Sequence, residues 1–157
     1  LYLVQKYGIG ESGLGTYFAV IGICIVITQV VILRIVSKRK KPLQVLRVSM
    51  ILVGITTALT PFMPSLTFQY LLIPLIAVPQ GLSMANLGAL LSTSVSKEKQ
   101  GVALGINGSL SALSQGIVPL LGGVMSGFLG LTIPFIVGGL CVTYAWYGII
   151  TSNNEIK

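Results

Sequence analysis

The sequence contains no histidine and only three acidic residues, Glu11, Glu98 and Glu155. That shortage excludes metal centres built on imidazole and carboxylate, and hydrolases that need a carboxylate pair. Charged residues of either sign make up 8% of the chain, where a soluble domain carries roughly a quarter. The two cysteines, Cys24 and Cys141, lie inside apolar runs and read as small buried hydrophobes. They say nothing about redox compartment. No nucleophile–base pair stands out, so an enzyme is not expected, nor is a cofactor. What fills the space is apolar: 54% of the 157 residues are hydrophobic and the mean hydropathy is +0.93. This is the composition of an integral membrane protein. The net charge of +7 does not point to nucleic acid, because the cations cluster in short links between apolar runs.

Five apolar segments approach the roughly 20 residues needed to cross a hydrocarbon core. They run over residues 14–36, 43–63, 66–92, 101–126 and 129–150. The expected fold class is therefore an all-α polytopic membrane protein of about five transmembrane helices in a single domain. Links this short make consecutive spans antiparallel. Lys38, Arg39, Lys40 and Lys41 fill the first link, and Lys97 and Lys99 lie in the third. The second link, Pro64-Ser65, and the fourth, Gly127-Phe128, carry no charge. The excess of Lys and Arg places the first and third links and the C-terminus, with Lys157, in the cytoplasm. Only Lys6 sits on the wrong side. The cationic run can serve as a topology signal and anionic-lipid contact, or as a gate pairing with acids elsewhere.

Polar residues inside the spans carry the functional signal. Asn107, Ser111, Ser114 and Gln115 recur at i, i+4, i+7 and i+8, which puts them on one helical face. Lipid cannot satisfy such a stripe, so it must face protein or a water-filled cavity. The same span carries closely spaced small residues, Gly101, Gly105, Gly108, Ala112 and Gly116, with Gly123 and Gly127 beyond them. They would let a neighbouring backbone approach. Gln80, Ser83 and Asn86 mark the third span, and Thr28 and Gln29 the first. These nine polar residues are the solute-pathway candidates, the competing role being hydrogen bonds between helices. Thr56, Thr57 and Thr60 are expected to bond back to their own helix. Pro74, Pro79, Pro119 and Pro134 interrupt the third to fifth spans and can bend them.

Two motif matches carry little. Gly8 to Gly13 fits G-x-G-x-x-G but lacks the strand and βαβ unit a dinucleotide site requires. Asn107-Gly108-Ser109 fits a glycosylation acceptor but lies inside a span. The chain begins without an initiator Met or a signal peptide, and it is expected to be part of a longer protein.

The sequence resembles the C-terminal half of a major facilitator superfamily transporter, from the end of the seventh helix to the end of the twelfth. Leu1–Val4 with Gly8–Gly15 is similar to the outer end of helix seven and its loop. Arg34-Ile-Val-Ser-Lys-Arg-Lys-Lys-Pro-Leu resembles the basic loop after helix eight. Lys99-Gln100-Gly101, Gly105 and Pro119-Leu-Leu-Gly-Gly resemble the eleventh-helix pattern of the drug–proton antiporter branch, which includes tetracycline-type exporters. The resemblance implies alternating access between two halves and proton-coupled efflux of a drug or metabolite, with uptake as the alternative direction. It also implies three partners: a small-molecule solute, the bilayer (a plasma or inner membrane) and the N-terminal half of the same transporter. The other class of reading is a non-transporting assembly partner or a truncated remnant. No acid lies within an apolar span, so a proton-coupling group is expected outside this chain.

The charge asymmetry predicts opposite accessibility for Ser37 and Ser65. Single cysteines at these positions, with Cys24 and Cys141 replaced, should label from opposite sides of the membrane. Equal labelling from outside would overturn the orientation.

Overall fold

The computed structural model describes residues 2–152. Leu1 and the expected inner tail with Lys157 lie outside the described residues. Among the described residues the chain is helical, with no strand. A short helix α1 (Tyr2–Tyr7) precedes five long ones: α2 (Glu11–Ser37), α3 (Pro42–Phe62), α4 (Leu66–Thr93), α5 (Gln100–Leu129) and α6 (Ile133–Ser152). The five long helices are long and apolar enough to cross a bilayer, and the protein is an all-α polytopic membrane protein.

The turns follow from local chemistry. Gly8, at φ 65°, supports the left-handed step from α1 into α2. The glycine-rich match thus sits in a helix–loop–helix turn. Pro42 opens α3 in its first turn, where no intrahelical N–H is needed. Gln44 Oε1 accepts the Lys41 backbone N–H at 3.4 Å beside it. The fourth link differs from the expected Gly127-Phe128. Helix α5 runs through both residues and stops at Gly130, whose φ of 99° a side chain would resist. Pro134 consequently falls in the first turn of α6 and bends nothing, whereas Pro74, Pro79 and Pro119 are interior.

Helix α4 lies between α2 and α3; α3 lies between α4 and α6; α5 leans on α4 and α6. The α2–α4 seam holds the buried core of Tyr17, Ile73 and Ala77, with Val20, Cys24 and Ile25 packed around it. Tyr17 meets Tyr70 edge to face, with centroids 5.5 Å apart. Farther along this seam α2 takes a π turn over Thr28–Ile32, in which the Leu33 N–H reaches back to the Thr28 carbonyl. Thr28 is fully buried there, and a Cβ on Gly81 of α4 would stand 3.2 Å from its methyl group.

The α3–α6 seam is tighter still. A Cβ on Gly139 would come within 3.0 Å of the Gly54 carbonyl oxygen and 3.1 Å of Ala58 Cβ. Only glycine allows the two backbones that approach. The glycines of the α5 stripe behave differently: Gly101, Gly105, Gly108, Gly116, Gly123 and Gly127 each have open space where a Cβ would project. The conspicuous run of small residues is thus unpacked among the described residues, and two isolated glycines make the close crossing.

Side chains from two other elements close the C-terminal end of α3. The last carbonyls of a helix have no intrahelical partner. Here the Thr60 carbonyl accepts from Gln69 Nε2 at 2.8 Å and from the Tyr2 hydroxyl at 3.3 Å. The Pro61 carbonyl accepts from Lys6 Nζ at 2.6 Å, and the Met63 carbonyl from the Tyr7 hydroxyl at 2.8 Å. The one cation that broke the charge pattern therefore faces the negative end of a helix dipole. At the other side of the bundle, Arg47 Nη2 donates to the Ile149 carbonyl near the end of α6 at 3.3 Å.

The geometry at Gly139 predicts that Gly139→Ala destabilises the protein by about 1–3 kcal/mol, the usual cost of overpacking. Gly22→Ala, in open space, should not. Melting temperatures of the two variants in one detergent decide this; equal melting would show the crossing to be compliant.

Candidate functional site

Helix α5 is the least embedded of the long helices and has no buried residue. Its half-buried positions are Gln100, Ala103 and Asn107 toward one end, then Gly122, Met125 and Ser126 toward the other. At about 100° per residue, all six fall within one half of the helix circumference. Asn107, Ser111, Ser114 and Gln115 fall within that same half. The helix therefore rests on the bundle at its two ends. Between them it holds a polar face toward the same side, where Ser111, Ser114 and Gln115 are exposed. Ser114 satisfies its hydroxyl by donating to the Leu110 carbonyl at 2.8 Å.

Next to this stretch lies a cavity of about 410 Å³, bounded by Tyr2, Tyr17 and Phe18 on one side and by Pro119, Ser126 and Phe135 on the other. Pro119 is one turn beyond Gln115. Having no N–H, it leaves the Gln115 carbonyl without its usual intrahelical donor. A break in the backbone hydrogen-bond ladder thus adjoins the polar face.

The remaining candidates divide. Gln80 of α4 and Gln29 of α2 are exposed, so their amides are open to a ligand or partner. Three others are drawn into helix packing. Thr28, the buried first residue of the π segment, donates to the Cys24 carbonyl at 2.7 Å. Asn86, buried, donates to the Leu82 carbonyl at 2.8 Å. Ser83 donates to Ser49 Oγ on α3 at 2.8 Å, and Ser49 passes a bond to the Leu46 carbonyl. Thr56 and Thr60 bond back to their own helix, as hydroxyls in apolar helices do. Lys38, Arg39, Lys40 and Lys41 are all exposed in the first link. They do not converge with the polar residues of α5.

Sequence reasoning missed Gln69, which is fully buried in the cap of α3 with its Oε1 unpaired. The available signal was an amide in the first turn after Pro64-Ser65, where the end of α3 needs donors. It also missed Ser49, which reads as an ordinary small residue until Ser83 is brought opposite it.

Residues 1–151 match the Major Facilitator Superfamily. The chain belongs to that superfamily. Its members are transporters, so this is a multi-pass membrane protein of transporter type. No match was found among curated proteins or among solved structures.

The Ser83–Ser49 bond predicts a structural phenotype. Ser83→Ala or Ser49→Ala should each lower stability by about 0.5–1.5 kcal/mol, and the double variant should cost little more than either single one. Thermal denaturation of the three variants gives the coupling; strict additivity would mean the two hydroxyls do not interact.

Proposed function

We propose that this chain is the C-terminal half of a secondary active transporter and that the polar face of α5 lines its central solute pathway. The observation that carries this reading is the open polar stripe. Asn107, Ser111, Ser114 and Gln115 lie on the packed side of α5, yet Ser111, Ser114 and Gln115 are exposed, and Ser114 bonds only to its own helix. A stripe of this kind is costly against lipid. A second half of the transporter, with water and solute between, would satisfy it. Gln80 and Gln29 are exposed and can approach the same space from α4 and α2. Thr28, Ser83 and Asn86 then serve by holding the wall in place.

In this proposal a small solute is bound near the midplane between two halves, which rock to expose it to either side. The prolines of α4 and α5 allow those helices to bend. The direction we favour is efflux of a drug or metabolite coupled to protons. The acids among the described residues, Glu11 at the start of α2 and Glu98 in the link before α5, lie at span ends. A proton-carrying group would then come from the other half. The orientation that accompanies this reading puts the basic links and the C-terminus on the cytoplasmic side of a plasma or inner membrane.

Asn107→Ala and Gln115→Ala, made in the intact transporter, should weaken solute affinity about three- to tenfold, the effect of losing roughly 0.5–1.5 kcal/mol of hydrogen bonding. Abundance and melting temperature should stay near those of the parent. A lower melting temperature with unchanged affinity in the surviving protein would instead mean that these amides only join helices.

A further inference from the structure

A second cavity, of about 560 Å³, lies between α2, α3 and α4 at the end of the bundle that carries the first basic link. Its volume falls in the range of sites that hold small molecules. No residue of α5 or α6 lines it, so it is separate from the polar stripe. Its wall is apolar along most of its length, built from Val36 of α2, Val48 and Leu52 of α3, and Val78, Pro79 and Leu82 of α4. Ser49 also touches it, but its hydroxyl is already engaged by Ser83 and Leu46.

The polar groups are concentrated in the residues nearest the link: Lys40, Gln44 and Arg47. Two are cations. Neither Glu11 nor Glu98, the acidic residues among those described, lines the cavity. Arg47 spends Nη2 on the Ile149 carbonyl, while its Nε is buried with no acceptor. A guanidinium N–H without an acceptor in an apolar setting is costly, and a phosphate oxygen is its best complement. Apolar walls leading to two unneutralised cations fit an amphiphile with a negative head. Free phosphate would leave those walls unused.

We propose that this groove holds one anionic phospholipid of the leaflet beside the basic links, its phosphate on Lys40 and Arg47 and an acyl chain along Val48, Leu52 and Leu82. Bound there, the lipid bridges α2, α3 and α4 at the end where the Arg47 bond also reaches α6. The cation run of residues 38–41 gathers anionic lipid to the surface; the groove selects one molecule.

Native mass spectrometry of the whole transporter, purified in neutral detergent and supplied with phosphatidylglycerol or phosphatidylcholine of the same chains, tests this. The parent should retain one phosphatidylglycerol in preference to phosphatidylcholine. Lys40→Gln should lower that retention about fivefold, the worth of one cation near a charged lipid. Val48→Trp, which fills the groove without changing charge, should lower it by a comparable factor. Lys97→Gln, which removes a cation from the other basic link, should leave it unchanged. Arg47→Gln should act like Lys40→Gln, and if it does not purify, the Lys40 and Val48 variants decide. Equal loss in Lys97→Gln, or full retention in Val48→Trp, would overturn the proposal in favour of diffuse surface attraction. Displacement of the lipid by millimolar inorganic phosphate would overturn it in favour of a simple anion site.

Discussion

The structure depends on closing the end of α3. This helix is packed on both sides, by α4 and by α6, and its last carbonyls emerge where the chain turns at Pro61 and Pro64. Thr60 and Pro61 are buried, so their carbonyls need donors from the protein. Four side chains from two elements supply the donors: Tyr2, Lys6 and Tyr7 from α1, and Gln69 from α4. Because the donors come from both sides of the turn, one requirement fixes three elements at once. It explains why a six-residue helix far too short to span anything holds a defined place, and why a lysine is tolerated on a side with no other cation in its links.

From that anchor the packing proceeds through small residues. Helices in lipid gain little from hiding apolar surface, so close backbone approach and dispersion carry more of the association. At Gly54 against Gly139 two backbones meet closely, and at Gly81 the α4 backbone closes on the Thr28 side chain. Helix α5 lacks such a seat. Its ends touch the bundle, its centre does not, and its own glycines meet open space. The described helices therefore form a tight group of α2, α3, α4 and α6 with one loosely held member whose polar face is left exposed.

Much of this was legible in the sequence, and the reasons differ by element. The five helices followed from apolar length alone, since nothing else satisfies backbone groups inside a bilayer. The polar face of α5 followed from spacing. Its openness did not, because periodicity places residues on a face without saying what lies opposite. The close crossing was hidden because Gly54 and Gly139 are lone glycines in ordinary apolar runs, whereas the dense series from Gly101 to Gly127 advertised a contact that these helices do not make. Thr28, Ser83 and Asn86 looked equivalent to Gln80 and Gln29 as intramembrane polar residues. Only the packing of α2 and α3 against α4 separates those held within it from those left free. The fourth link moved to Gly130 because a glycine within an apolar run can continue a helix as easily as end one.

The π turn at Thr28–Ile32 has a geometric consequence for everything beyond it. One extra residue per turn delays the helix by about 100° relative to an uninterrupted α-helix. Tyr17 and Cys24, before the turn, and Val36, beyond it, are thus presented at phases that a regular helix would not combine. An α2 shortened by one residue at this point would keep its N-terminal seat on Ile73 and Ala77, yet would rotate its C-terminal quarter away from α3 and α4. The side of the bundle to which the basic link is delivered is set by the parity of a single inserted residue.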